Sequence, residues 1–278
     1  MLTPELEIDT GNFASPRWLL WPPSSVKIVC WNINRGLQLR RIMEFLRRSQ
    51  ADILLLQEAD LNARRTHHIH VAQEIAQELQ LNYVFGREFQ ELTQGTRYSP
   101  AYHGQATLCR WPLSNARILR FQQQSNFWQP RWFLPEIEPF QERLGGRLAL
   151  VADVNVGEKT IVTYNLHLES RGDDRLRSAQ MKETLQDAKR YKADTAVVLA
   201  GDLNMDVSAG DVAQAISRAD FQDAFTDQHT PTTPNSFFAD GRVIDWIFLR
   251  DSLRSEPQVH SSVSGSDHYP LSATLEFR

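Results

Sequence analysis

The sequence predicts an α/β fold organised around short, buried β-strands. Apolar runs rich in Val, Ile and Leu alternate with helical patterns along the 278 residues, of which 41% are hydrophobic and 23% charged. Such alternation is typical of α/β domains and argues against a helical bundle or an all-β sandwich. Because no flexible linker or shift in composition divides the chain, we expect a single domain over residues 26–278, with residues 1–25 packed on it as an extension.

The elements follow one another in a regular order. Eight strands are predicted at Val26–Trp31, Ile53–Gln57, Gln105–Arg110, Leu148–Val154, Thr160–Leu166, Ala196–Ala200, Val243–Leu249 and Leu271–Phe277. Helical spacing of apolar residues predicts four helices, at Leu37–Arg48, His68–Leu79, Arg175–Tyr191 and Asp211–Ala219. We expect the helices to cover faces of the sheet that the strands form.

One segment, residues 121–146, follows neither period. Its first part is rich in aromatic residues interrupted by prolines. We predict an ordered insertion loop. It either packs over the edge of the sheet or forms a lid in which Trp128 and Trp132 stack on the bases or acyl chains of a substrate.

The bulk properties place few limits on partners and location. A formal net charge of -4 gives no overall attraction to polyanions, so a nucleic-acid contact would need a local basic patch. Cys30 and Cys109 lie in apolar runs and are expected to be buried and unreactive. No apolar run reaches the roughly 18 residues of a membrane span. We expect a cytoplasmic monomer without a stable membrane span, and the sequence indicates no protein partner.

Apolar strands that lead into acidic, amide or imidazole side chains recur along the chain. Because a buried strand delivers its last residues to a common rim, such side chains are candidates for a site. The candidates are Asn32, Glu58, Asn165 with His167, Asp202 with Asn204, Asp245, and Asp267 with His268. Taken singly, Asn32 could be a turn residue, Glu58 a helix cap and His167 a structural hydrogen-bonding group.

Together these side chains supply what hydrolysis of a phosphate ester requires, namely a cation, a base for water and donors to the phosphoryl oxygens. Glu58 and Asp267, with Asn32 nearby, would hold Mg²⁺ or Mn²⁺, since the oxygen-rich set favours a hard metal. Asp202 would act on the water. His167 and His268 would contact the phosphate, and Asp245 would fix the tautomer of His268.

The six motifs, in this order from Lys27 to Phe277, resemble the endonuclease/exonuclease/phosphatase superfamily. The resemblance implies a DNase-I-like fold, a four-layer α/β/β/α sandwich of two packed mixed β-sheets with the site at one end. It also implies that Glu58 and Asp267 lie near the metal. By the same resemblance Asp202 and Asn204 lie at the nucleophile, and His268 lies with Asp245 at the phosphate.

The segment from His167 to Ser170, followed by Arg177 and Gln180, is similar to the tyrosyl-DNA phosphodiesterase pattern but one residue shorter between the His and the Arg. Abasic-site endonucleases have a Tyr where this chain has His167. The resemblance thus favours the deoxyribonuclease, sphingomyelinase and tyrosyl-DNA types, with Asn165 and Arg177 as candidate substrate-binding residues. It does not transfer a substrate.

Three functions fit the sequence. The first is a metal-dependent phosphodiesterase acting on nucleic acid, supported by the aromatic loop and by basic residues near the first motif, although these could form a solvated helix face: Arg35, Arg40, Arg41, Arg47 and Arg48. The second keeps the chemistry but acts on a phospholipid head group or a sugar phosphate, with Trp18 and Trp21 touching lipid. The third is a non-catalytic binding module.

Overall fold

Two β-sheets packed face to face form the centre of the molecule, as a computed structural model shows. The structure describes residues 7–15, 23–129, 131, 133–135, 141–225, 230–235, 240–250 and 252–277, with only the backbone for 252–255. Trp132 and the segment from Trp18 to Trp21 lie outside these ranges. Among the residues described, no helix has the length and apolar character needed to cross a membrane.

The first sheet has eight strands. They are β1 (Ile8–Asn12), β2 (Ser25–Arg35), β3 (Ile53–Leu61), β4 (Asn82–Glu91), β5 (Ala101–Cys109), β7 (Arg143–Gly145), β13 (Ser252–Val259) and β14 (Leu271–Phe277). Their order is β1-β4-β5-β3-β2-β14-β13, with β7 paired to β4, and β2 and β3 run parallel.

The second sheet has six strands. They are β6 (Leu113–Arg120), β8 (Leu148–Val156), β9 (Lys159–His167), β10 (Ala196–Asp202), β11 (Gln222–Asp223) and β12 (Asp245–Arg250). Their order is β11-β12-β10-β9-β8-β6, and β9 and β10 run parallel.

Helices cover the outer face of each sheet. The helices are α1 (Leu39–Ser49), α2 (Val71–Leu79), α3 (Asp174–Ala188) and α4 (Gly210–Arg218). Apolar side chains of α1 and α2 pack on the first sheet, and those of α3 and α4 pack on the second. Because strand side chains alternate between faces, Ile28 and Cys30 point into the core between the sheets while Val29 and Trp31 point toward α1 and α2. This arrangement confirms the predicted four-layer α/β/β/α sandwich.

Several strands were not predicted from the sequence. They are β1, β4, β6, β7, β11 and β13. The N-terminal residues 8–12 thus form an edge strand of the first sheet, paired with β4. In the predicted insertion loop, Asn126–Trp128 form a 3-10 helix and Arg143–Gly145 pair with β4. Both cysteines are buried and free, as expected.

Candidate active site

Three neighbouring strands of the second sheet place the predicted residues side by side. Asp202 on β10 pairs in register with His167 on β9 and with Asp245 on β12. The three polar side chains therefore form a row across one end of the sheet. The first sheet contributes Asn32 from β2 and His268 from the segment before β14, so that both sheets build the site.

Asp202 lies at the centre of this site, and only 2% of the residue is exposed. Its Oδ2 accepts a hydrogen bond from Nδ2 of Asn32 at 3.1 Å, and its Oδ1 accepts one from the backbone N–H of Asn204 at 2.9 Å. Nε2 of His167 lies 3.6 Å from Oδ2, and Nε2 of His268 lies 3.7 Å from the same oxygen. The carboxylate thus faces both imidazoles.

Gly201 brings Asp202 into this position. A Cβ on Gly201 would lie 1.8 Å from the carbonyl oxygen of Leu166 in the neighbouring strand. Only glycine allows β9 and β10 to approach so closely here. Asn204, in the left-handed region with φ +53, follows in a tight turn and donates from Nδ2 to the carbonyl of Leu168 at 3.1 Å.

His268 is held through its ring and through its backbone. Nδ1 lies 2.8 Å from Oδ2 of Asp245, and Thr232 donates to the same carboxylate oxygen at 2.6 Å. The indole of Trp31 donates to the backbone carbonyl of His268 at 2.8 Å. Burial alone would lower the pKa of His268, but the charges of Asp245 and Asp202 outweigh it and raise the pKa to about 10. The ring is therefore positively charged at neutral pH.

His167 has a carboxylate partner that sequence reasoning missed. Its Nδ1 lies 3.4 Å from Oε2 of Glu88, a fully buried side chain on β4 that also accepts from Arg147 at 3.2 Å. Burial would raise the pKa of Glu88, but the charges of Arg147 and His167 hold it below its usual value. An acidic residue inside an apolar strand was the available signal. Each histidine of the site thus has its own buried carboxylate.

Glu58 lies at an irregularity in the first sheet instead of at a strand end. The pairing of β3 with β5 shifts between Leu56 and Ala59, and Glu58 has a left-handed backbone with φ +57. Such bulges redirect a side chain out of the regular alternation. Burial would raise the pKa of Glu58, but electrostatic interactions with His103, His167 and Arg35 hold it well below its usual range.

The donor set fits a divalent cation. Of the residues described, none donates a hydrogen bond to the ionised Glu58 carboxylate, which leaves its oxygens free to bind a metal ion. Candidate ligand atoms within 4.8 Å of one another come from Glu58, His103 and His167, and from Asp202, Asp245 and His268. The predicted ligand Asp267 is exposed and belongs to neither group; its Oδ1 lies 3.2 Å from Ser266 Oγ.

Asn165 lies behind the site and not in it. Its Nδ2 donates to the carbonyls of Leu56 and Ala106, at 3.1 and 2.9 Å, and its Oδ1 accepts from Gln57 at 2.7 Å. The residue is fully buried and connects the two sheets. It shares a strand face with His167, as predicted, but it precedes His167 by two residues and so lies about 6.6 Å deeper along the strand.

Trp128 and Arg177 are also engaged in contacts within the protein. The indole of Trp128, only 4% exposed, donates to Oε1 of Glu169 at 3.0 Å. Nε of Arg177 donates to the carbonyl of Glu169 at 2.7 Å, and its Nη2 donates to the carbonyl of Gly172 at 3.0 Å. In this conformation the two side chains hold the segment after β9 in place, and neither forms a free surface for substrate.

The fold is that of the DNase-I-like class, whose members are phosphoesterase hydrolases. The chain belongs to the endonuclease/exonuclease/phosphatase family, because the sequence model of that family matches residues 29–268. Members of this family generally use divalent metal ions. No curated protein matches the chain at a significant level.

Solved structures share the fold at low sequence identity. An endonuclease/exonuclease/phosphatase from Beutenbergia cavernae superposes with a TM-score of 0.66 and 18% identity, over 92% of this chain and 72% of that one. An endonuclease/exonuclease/phosphatase from Bacteroides vulgatus superposes with a TM-score of 0.66 and 17% identity, over 92% of this chain and 100% of that one. TDP2 from Caenorhabditis elegans superposes with a TM-score of 0.61 and 18% identity, over 91% of this chain and 74% of that one.

Proposed function

We propose that the protein is a divalent-metal-dependent phosphodiesterase that cuts nucleic acid by attack of an activated water on phosphorus. The observation that supports this most strongly is the position of Asp202. It lies within 3.7 Å of two imidazole nitrogens, and Asn32 and Asn204 donate hydrogen bonds to its two oxygens. A carboxylate held in this way can accept a proton from water while neighbouring groups bind the phosphate.

The other side chains take complementary roles. A cation bound at Glu58, with Asn32 and Asp267 as further candidate ligands, would neutralise the anionic ester and polarise it. His268, charged at neutral pH, donates from Nε2 toward the phosphoryl oxygens and stabilises the charge that develops there. His167, which Glu88 orients, lies on the side of Asp202 opposite His268 and is the second imidazole that faces the phosphate.

A cationic and aromatic surface supports nucleic acid as the substrate. Phe127 is 43% exposed and lies between two guanidinium groups, with Arg171 at 4.9 Å and Arg131 at 5.5 Å from its ring centre. The backbone N–H of Arg171 donates to Glu169, two residues beyond His167, so this surface adjoins the site. Aromatic rings stack on bases and arginines bind phosphates, so such a surface suits a single strand.

The arginines of α1 support the proposal less. Arg47 pairs with Glu78, and Arg48 lies 3.3 Å from Glu44, with both arginines exposed. These pairs form a solvated helix face. Arg35 differs, because it lies beside the site and donates to Asn34 at 2.8 Å.

A substrate screen tests the proposal. Purified protein with Mg²⁺ or Mn²⁺ is offered DNA, RNA, bis-p-nitrophenyl phosphate, p-nitrophenyl phosphate and sphingomyelin vesicles. We expect cleavage of nucleic acid, preference for the diester over the monoester, and loss of activity with a chelator. Intact DNA and RNA under both metals would remove nucleic acid as substrate, and preferential cleavage of sphingomyelin would favour a lipid phosphodiesterase.

Matched variants test the residues. Asp202→Asn and His268→Ala should each reduce turnover by at least about 10³-fold with folding retained. Asp153→Asn on β8 and His260→Ala, whose ring bonds Ser272 at 2.9 Å, are the controls and should retain activity. Unchanged turnover in either site variant would overturn the mechanism.

A further inference from the structure

His103 is a fully buried histidine on β5 whose ring has no hydrogen-bond partner among the residues described. Its Nδ1 lies 3.6 Å from Oδ1 of Asp60 and 4.0 Å from Oε1 of Glu91, which is beyond hydrogen-bond distance. A buried imidazole without partners is costly, because it has lost its contacts with water. With Asp60 and Glu91 facing Nδ1, the other ring nitrogen of His103 is available to bind a ligand.

His103, Glu58 and His167 converge on one point. Each offers one ligand atom, and these atoms all lie within 4.8 Å of one another, with Nε2 of His167 3.9 Å from Oε1 of Glu58. Tetrahedral bonds of about 2.0–2.2 Å to one metal ion would place its ligand atoms about 3.3–3.6 Å apart. A small closing movement of the side chains is enough to bind an ion.

Carboxylates stand behind both rings. Asp60 lies next to Nδ1 of His103, and Glu88 lies 3.4 Å from Nδ1 of His167. Metal-binding histidines commonly have a carboxylate at the nitrogen that does not bind the metal, because it fixes the tautomer and makes the ring a better ligand. Both His103 and His167 are arranged in this way.

The charged side chains around these three residues carry an excess of negative charge. Five carboxylates in this region face three guanidinium groups: Glu58, Asp60, Glu88, Glu91 and Glu169, and Arg65, Arg143 and Arg147. Arg35 is a fourth guanidinium group near Glu58, so the carboxylates remain in excess, and a bound cation would offset their charge.

We propose that Glu58, His103 and His167 form a site for a divalent transition metal, such as Mn²⁺, Co²⁺ or Zn²⁺. Two imidazoles and one carboxylate favour these ions over Mg²⁺, which prefers oxygen ligands. The inference rests on the proposed function, because this metal site shares Glu58 and His167 with the proposed catalytic site. Binding is nevertheless measured without substrate, so the two claims can fail separately.

Nitrogen coordination of Mn²⁺ is the direct test. The chelator-treated protein is loaded with Mn²⁺, and pulsed electron paramagnetic resonance counts the ¹⁴N nuclei bound to it. We expect two imidazole nitrogens in the wild type and one in His103→Gln, with Mn²⁺ affinity at least about tenfold lower in the variant. His70→Gln is the matched control, because the ring nitrogens of His70 are also buried without partners, and it should behave as the wild type.

Wild-type Mn²⁺ coupled to no nitrogen, or equal coupling in His103→Gln, would overturn the proposal. The wild-type spectrum decides even if His103→Gln fails to fold, which circular dichroism would show. Hydrolysis of bis-p-nitrophenyl phosphate is measured on the same samples. An active enzyme with oxygen-bound Mn²⁺ would refute only the nitrogen site, whereas nitrogen-bound Mn²⁺ in an inactive protein would refute only the proposed function.

Discussion

Nδ1 of His268 lies 2.8 Å from Oδ2 of Asp245, and both residues of the pair are buried. Asp245 thereby fixes which ring nitrogen faces Asp202 and, with Asp202, raises the pKa of His268 to about 10 against the opposing effect of burial. The imidazole is both oriented and charged before any substrate binds. Preorganised charge of this kind is what phosphoester hydrolysis requires from the protein.

Asp245→Asn tests this relationship. The amide keeps the shape of the side chain but removes the charge that keeps His268 protonated, so turnover should fall by about 10²–10⁴-fold. Kinetics with bis-p-nitrophenyl phosphate measure the effect. Asp153→Asn, in the same sheet, is the control and should differ from the wild type by less than about twofold. Full activity of Asp245→Asn would show that the pair has no catalytic role.

Glu88→Gln separates positioning from chemistry at His167. The substitution removes the nearer of the two buried carboxylates beside Arg147, leaving Glu169 at 4.0 Å, and should lower the free energy of unfolding by about 3 kcal/mol. Because His167 also loses its orienting charge, we expect kcat to fall while KM changes little, and the pH profile of kcat to shift. Urea denaturation and steady-state kinetics measure the two effects.

The control for Glu88→Gln is Glu78→Gln. Glu78 pairs with Arg47 at the surface, where both side chains are 54% exposed. Losing such a pair should cost less than about 0.5 kcal/mol. A Glu88→Gln protein as stable and active as this control would contradict the role assigned to Glu88.

Much of the site could be predicted because its residues follow strands in the sequence. The parallel pair β9 and β10 puts His167 beside Asp202, and each of these residues is the last of its strand. The end of an apolar run locates a strand end well, since buried parallel strands are almost continuously apolar. The order of the motifs then identified the family, and the family implied the four layers.

The missed parts depend on contacts between distant segments. Strand β4 contains Arg87, Glu88 and Glu91, which argue against a buried strand until partners such as Arg147, 59 residues away from Glu88, are known. His103 is hidden in the same way. Alternation correctly gave Asn165 and His167 one face, but alternation alone cannot tell the interior of the sandwich from its rim.

Gly201→Ala tests how closely β9 and β10 must approach. The new methyl group would lie 1.8 Å from the carbonyl oxygen of Leu166 and would force the strands apart. We expect a loss of about 3 kcal/mol in the free energy of unfolding, with turnover reduced because Asp202 moves. Gly86→Ala on β4 is the control: its methyl group would meet the side chains of Leu150, at 3.2 Å, and Ile118, at 3.6 Å, with no backbone atom among these contacts, and should cost less than about 1 kcal/mol. Equal stability of the two variants would contradict this reasoning.

His70 should make stability depend on pH. Its ring packs edge-on against Tyr83 and Phe85, and burial lowers its pKa from 6.5 to about 4. Between these two pH values the His70 ring binds a proton in the unfolded chain but not in the folded protein. The free energy of unfolding is therefore highest above about pH 6.5 and decreases as the pH falls toward about 4. We expect the wild type to lose roughly 1–2 kcal/mol relative to His70→Phe between about pH 7.5 and pH 5, as measured by urea denaturation. A constant difference between the two proteins across this range would show that the folded state accepts the proton.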